Sequence, residues 1–557
     1  MPQHWRPMKI QRLTLSIAAL ASFLSSAQAQ NDVADIILTN ANVFTANDKH
    51  PHAEALAIKG DRILAVDTNQ KISSLAGPKT RRIDAGGRLV IPGIMDTHNH
   101  YGGPALPTVT NIDFGEWAPT CKHVLEELAK KVKGVPKGNL LFGAMGPDAF
   151  FDPECTPAAL DRIAEQTPVL LTSGTPHGGT LNQAAVKWFG IDTDLPPPLG
   201  GYYGKDMRSK KWNGVVQNSA LLSLLAKTGT DGFQDDERLR QYFLEQAKWG
   251  ITSNTFLEYD PARRVEQLGR VNAQHRVHVV PFAQFETTQT RRKLKQVPVP
   301  SNVADRVWAK GEKWLLDGSP VERSAGMRAP YADDPSTSGN VDYSDAELRT
   351  ILENALQHDL PLMLHAVGDR TAETLFDQMD ATGGEKMWAQ RRLRIEHGDG
   401  VMADLIPRAR KLGVIVAENP THFVGDLALR RLGPERAAAW MPFKSLADAE
   451  VPLVITSDGG PGESDDNPFL NILLASTYPA NSKEAITREQ ALIAYTRTAA
   501  YSEFVDDRLG TLEAGKLADL AVLSQDIFRV SNEDLPKTES VLTMVGGNIA
   551  YSREPIQ

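Results

Sequence analysis

Histidine and aspartate are the residues of this chain whose placement invites chemistry. Met95-Asp96-Thr97-His98-Asn99-His100 carries two histidines two positions apart. In an extended strand such residues point to one face, so a single ion could meet both rings. His365 directly follows the apolar run Leu362-Met363-Leu364, and Arg394-Ile395-Glu396-His397-Gly398 repeats that arrangement. Leu453-Val454-Ile455-Thr456-Ser457-Asp458-Gly459 ends the same way with an aspartate. Imidazole and carboxylate together suit one or two divalent ions, zinc first, with iron, nickel or manganese as alternatives. Taken alone, each histidine reads as a hydrogen-bonded strand-end residue, and Asp458 reads as a helix N-cap. Their recurrence at the ends of successive apolar runs favours a metal centre.

The elements that must position these residues alternate. Candidate strands are 90–96, 277–282, 314–316, 362–364, 393–395, 414–417 and 453–456, with helical segments such as Asp345 to His358 between them. Nearly continuous apolar runs fit parallel strands buried on both faces. The alternation points to a parallel barrel or a doubly wound sheet. No glycine-rich phosphate loop or dinucleotide fingerprint opens any unit. In barrels of this kind, active residues come from the C-terminal ends of different strands. Short β-type runs occur near both ends of the chain, Asp35–Thr39 and Ala55–Lys59 early, 517–523 and 541–545 late. They predict one small β domain built from both termini. Residues 101–240 are rich in Pro and Gly and fit the alternation poorly, which suggests a long insertion over one face.

The chain has 557 residues, enough for a barrel of about 250 residues plus additions. Its apolar fraction of 41% supports a large core, and a formal charge of -9 without a basic run argues against nucleic acid. Arg6, Lys9 and Arg12, the apolar stretch Leu13 to Leu24 and the small-x-small Ala27-Gln28-Ala29 read as a signal peptide over 1–29. The stretch is too short for a membrane span, which takes about 20 residues. The expectation is a periplasmic or secreted protein without a stable membrane anchor. Cys121 and Cys155 are the only cysteines, so they cannot form a cysteine zinc site; a single bridge and two unpaired thiols both remain open.

The wording of these motifs resembles the amidohydrolase superfamily, and most closely the family 3 amidohydrolases, the branch that includes N-substituted formamide deformylases. The resemblance rests on Ile91–His100, Leu364–Arg370, Arg394–His397, Ser457–Gly459 and Gly510–Leu520, and it spans nearly the whole chain after the leader. It implies a TIM-type (β/α)8 barrel over 91–504. It also implies a β-sandwich domain from 30–90 and 505–557, and a lid formed by 101–240 after the first barrel strand. His98 and His100 would hold the more buried metal, and His365 and His397 the second. Asp458 would contact the metal-bound water and act as general base. Lys313, in Lys313-Trp314-Leu315-Leu316-Asp317-Gly318-Ser319, matches a family element whose lysine, when carboxylated, bridges two metals. An ammonium has no lone pair to give, so the alternative is an ordinary cation paired with a carboxylate.

In the insertion, Thr175-Pro176-His177-Gly178-Gly179-Thr180-Leu181-Asn182 resembles a family Asp-Gly-His element, with Thr175 replacing the aspartate. His177 is expected either to orient the carbonyl or stabilise the oxyanion, or to serve as a helix-entry residue. Asn218 stands where the family commonly has a glutamate. Asn182, Asp317 and Tyr101 are assigned as substrate contacts. Asp369 and Glu396 are expected to hold ligand histidines by carboxylate–histidine contacts, and His422 and Glu418 to be structural. A bound divalent ion lowers the pKa of water towards about 7, and Asp458 would carry the proton from that water to the leaving amine. The expected reaction is hydrolysis of a C–N amide-type bond in a small molecule such as an N-acyl amine or formamide. The same parts serve esters, lactones or carbamates, and a non-catalytic metal-binding or regulatory protein is the rival from another class. A homodimer is compatible with all of these readings.

Overall fold

The computed structural model describes residues 33–102, 106–175, 177–205, 212–229, 235–283, 297–423, 426–459 and 466–553. The expected leader, 1–29, lies outside the described residues. Among the described residues no helix is long and apolar enough to cross a membrane.

Eight parallel strands carry the central unit: β1 (Ile94–Asn99), β2 (Ile251–Glu258), β3 (Arg276–Pro281), β4 (Glu312–Leu315), β5 (Leu362–His365), β6 (Arg394–Glu396), β7 (Ile415–Glu418) and β8 (Leu453–Ile455). β1 pairs with β2 and β2 with β3, while β4 to β8 pair in chain order. A parallel bridge between Phe282 and Lys313 joins the two groups. The Asp458 N–H donates to the His98 carbonyl at 3.0 Å, and the His100 N–H to the Gly459 carbonyl at 2.9 Å. These bonds bring the end of β8 against the end of β1, so the fold is α/β and TIM-barrel-like. Helices such as Asp345–His358 follow the strands; that one starts at a reciprocal capping box between Ser344 and Glu347.

β2 is absent from the candidate strands read off the sequence. Its residues Thr252, Ser253, Asn254 and Thr255 break the apolar run, yet all eight residues of the strand are buried. Asn254 is tolerated there because buried partners outside the strand satisfy it: it donates to Gln246, which donates to Asp466, and His275 sits 2.6 Å from the Asn254 oxygen.

The expected strand 90–96 is two strands. Leu89–Pro92 belongs to a six-stranded sheet with Leu520–Leu523, Ser540–Val545, Asn548–Ser552, Asn42–Phe44 and His52–Ala53. After Gly93 the chain passes into β1. A Cβ at Gly93 would stand 2.2 Å from the Thr252 hydroxyl, so only glycine fits that crossing. A four-stranded sheet of Ala34–Thr39, Ala55–Lys59, Arg62–Asp67 and Ala76–Asp84 packs beside it over Leu38, Leu56, Ile58, Val90 and Leu520.

The insertion is more regular than its composition suggests. It contains a mixed six-stranded sheet, with the order Gly201–Lys205, Trp212–Asn218, Gly178–Leu181, Val169–Thr172, Leu140–Ala144, Val109–Ile112. Cys121 and Cys155 form a disulfide within it, with Cα atoms 5.6 Å apart.

Candidate active site

The strand ends deliver the side chains to one place. Asp458 follows β8 with φ of 53°, and His397 follows β6 with φ of 54°. For residues other than glycine this left-handed region is strained by about 1–3 kcal/mol, and such strain collects at functional sites. The result is convergence. Asp458 Oδ1 lies 3.0 Å from His98 Nε2 and 3.0 Å from His100 Nε2. Asp458 Oδ2 lies 3.7 Å from His397 Nε2 and 3.4 Å from His422 Nε2. The His365 ring packs 4.8 Å from that of His397, and the His177 ring 4.7 Å from that of His365.

The nitrogens turned away from this centre are already occupied. His98 Nδ1 sits 2.5 Å from Glu396 Oε2, and His397 Nδ1 sits 2.6 Å from Asn419 Oδ1. Carboxylate and amide oxygens accept only, so each Nδ1 carries the hydrogen, and an ion in the middle would meet the Nε2 lone pair of the neutral ring. His98, His397 and Asp458 can present ligand atoms all within 4.8 Å of one another. That donor set fits a divalent ion. Glu396 is itself held by Arg394, which also donates to Glu503 at 2.6 Å and to the Thr97 carbonyl at 2.7 Å.

The electrostatics agree. Burial pushes the imidazolium forms of His100, His177, His365 and His397 down, leaving neutral rings with lone pairs. Burial and Lys313 also oppose charge on His98, but Asp458 and Glu396 outweigh them and raise it. Burial works against the Asp458 carboxylate too, yet His98 and His397 hold it well below the usual carboxylate range. Lys313 is 2% exposed, and its Nζ lies 3.5 Å from His98 Nε2. Among the described residues no carboxylate forms an ion pair with it, and burial lowers its pKa to about 8.

The model of the amidohydrolase family matches residues 81–551. The chain belongs to the amidohydrolase family. This amidohydrolase is 24% identical over 546 residues to an N-substituted formamide deformylase of Arthrobacter pascens, covering 93% of this chain and 98% of that one. It is 26% identical over 548 residues to the protein LONG AFTER FAR-RED 3 of Arabidopsis thaliana, covering 93% and 92%. A solved metal-dependent hydrolase of Pyrococcus furiosus, at 22% identity, superposes with a TM-score of 0.61 over 89% of this chain and all of that one, a likeness of fold. The chain is thus a hydrolase by family, and its fold is shared with that solved protein.

Within the amidohydrolase, three expected substrate contacts are engaged elsewhere. Asn182 caps the helix Gln183–Phe189: its oxygen accepts from the Val169 and Ala185 N–H groups, and its nitrogen donates to the Ala164 and Thr167 carbonyls. All four of its hydrogen-bonding positions are therefore structural. Tyr101 is 5% exposed and packs on Tyr242, Phe256 and the Arg264 guanidinium. Asp317 accepts the N–H groups of Gly326, Val367 and Gly368, and so ties the loops after β4 and β5 together, 3.7 Å from His365. Asp369, expected beside a ligand histidine, instead accepts the Arg328 N–H at a helix start. His422, expected to be structural, stands at the centre with its ring stacked 5.3 Å from that of His397. It lies on a short 3-10 turn, Pro420–Phe423, beyond β7.

Proposed function

We propose that this amidohydrolase cleaves a C–N amide-type bond of a small N-acyl amine or formamide, and that the mature protein is exported. The observation that carries the chemistry is the Asp458 carboxylate, whose Oδ1 lies 3.0 Å from two imidazole Nε2 atoms. His98, His100, His365, His397 and Asp458 would hold one or two divalent ions, zinc first, with Lys313 as a carbamate between two of them. A buried lysine without a carboxylate partner supports that carbamate. Near pH 8 it offers the neutral amine that carbamate formation requires, and the added negative charge removes the repulsion between ammonium and metal.

The metal, when bound, supplies a Lewis acid and a water of lowered pKa. Asp458 takes the proton of the attacking water as its oxygen bonds the carbonyl carbon. It returns that proton to the nitrogen as the C–N bond breaks, so an acid and an amine leave. Glu396 and Asn419 keep the rings of His98 and His397 turned inwards throughout. The insertion sheet, which carries His177, serves as the lid.

The test is hydrolysis by the mature chain, loaded with zinc or manganese, of formamides, N-acyl amines, lactams and esters, with metal analysis. Turnover of a C–N substrate with one or two bound equivalents, lost in Asp458→Asn without loss of fold, is the expected result. Full activity without metal, near-normal activity of Asp458→Asn, or activity on esters alone would refute it.

A further inference from the structure

His177 is held by a chain of hydrogen bonds whose polarity can be read. Its Nδ1 lies 3.1 Å from Asn218 Oδ1, and Asn218 Nδ2 donates to Asp342 Oδ2 at 2.8 Å. The Tyr202 hydroxyl bonds the same Asp342 carboxylate. The structure sets the Asn218 amide with its NH2 to Asp342 and its oxygen to His177; burial pushes the Asp342 carboxyl well above the usual carboxylate range, and its oxygen without a hydrogen accepts from that NH2 in either protonation state. Two acceptors cannot share a bond without a hydrogen, so His177 Nδ1 carries it. A neutral imidazole has only one N–H, and Nε2 is left with a bare lone pair. No hydrogen bond reaches that Nε2 among the described residues. The ring cannot turn away easily: it packs on His365, and the backbone N–H of His177 donates to the Thr175 hydroxyl at 3.2 Å. The buried Glu322 carboxylate fixes that loop by accepting from Ser173 and, at 2.5 Å, from Thr175. Thr175 matters here, because a carboxylate in its place would face Glu322.

We propose that His177 Nε2 is the acceptor that reads a substrate N–H, so that the enzyme selects secondary amides over tertiary amides and esters, with Asn218 and Asp342 as positioning residues that fix its tautomer. This rests on the reading that the site hydrolyses C–N bonds. In this arrangement His177 does not stabilise an oxyanion, since a nitrogen without hydrogen cannot donate. Selection follows from a general asymmetry: a pocket group built to bond an N–H is left unpaired, at a cost, when the ligand lacks it.

The test compares kcat/KM for N-butylformamide, N-butyl-N-methylformamide and butyl formate, with the metal-loaded full chain. The secondary-to-tertiary ratio should be on the order of tenfold or more in the parent enzyme. It should collapse in His177→Phe, which keeps the stacking but no acceptor, and in Asn218→Leu. Independently of turnover, 15N-histidine spectra of the full chain, with His177 assigned from its loss in His177→Phe, should show the Nδ1–H tautomer. An Nε2–H tautomer, or a ratio unchanged in His177→Phe, overturns the inference while leaving the hydrolase reading intact. Loss of a metal equivalent in His177→Phe would make the residue a ligand and also overturn it. If the parent hydrolyses only the ester, the C–N reading itself fails, and the spectra still decide the tautomer.

Discussion

Glu396 Oε2 and His98 Nδ1 are 2.5 Å apart, and both side chains are buried. Burial alone would neutralise this carboxyl, but Arg394 and His98 hold it charged, well below the usual range. The pair sets which nitrogen of His98 faces the centre.

Glu396→Gln removes that charge and introduces an amide, only one of whose two orientations turns an acceptor to His98 Nδ1. Metal affinity should fall about 10- to 100-fold, the usual scale for an outer partner of a ligand histidine. Competition with a chromophoric chelator measures it, and far-ultraviolet circular dichroism checks the fold. Affinity equal to that of the parent would contradict the role.

Lys313→Met should cost one bound metal equivalent if the lysine is a bridging carbamate. Loading the parent enzyme in carbon-dioxide-free buffer should mimic the variant, and bicarbonate should restore the parent alone. An unaltered metal count in both experiments would leave Lys313 as a buried amine with no ligand role.

Asn182→Ala should destabilise the insertion without touching catalysis. The lost N-cap alone is worth about 1–2 kcal/mol, and two carbonyls lose their donor. Thermal unfolding should move down while kcat/KM stays near the parent value. A selective fall in kcat/KM at unchanged stability would return Asn182 to the substrate contacts.

Acid should destabilise the fold through His275. Burial holds this ring neutral and lowers its pKa to about 3, against about 6.5 in an unfolded chain. Between those values the unfolded chain binds the extra proton, so His275 supports stability fully above pH 6.5 and that support drains as pH falls towards 3. The slope is about 1.4 kcal/mol per pH unit for one proton. Urea titrations at stepped pH should show His275→Gln with a shallower acid limb than the parent. Parallel limbs would refute it.

Much of this centre was legible because barrel strands end abruptly. His365 follows an apolar run directly and Asp458 follows one after Thr456 and Ser457, while His397 ends the short strand Arg394–Glu396; each break marks where the strand leaves the core. His422 falls near a predicted strand end, but a 3-10 turn separates it from β7, and its approach to Asp458 is not legible from that position. β2 was hidden for the opposite reason: Thr252 to Thr255 interrupt its apolar run, and Asn254 is satisfied by Gln246 and His275 from other elements. Asn182 misled because a motif fixes residue types in order but not which partner each side chain meets; there the nearest demand was a helix start. The insertion looked irregular because its strands are mostly four or five residues long and punctuated by glycine.

Leu89–Pro92 lies between Asn42–Phe44 and Leu520–Leu523, so a strand made early on the ribosome is completed only by strands made last. That same early strand leads through Gly93 straight into the one bearing His98 and His100. The N-terminal half of the ligand set therefore cannot be locked in place on a nascent chain. Synthesis must finish before the enzyme can close around its ions, and truncation near the C-terminus should disarm the centre without deleting a single ligand.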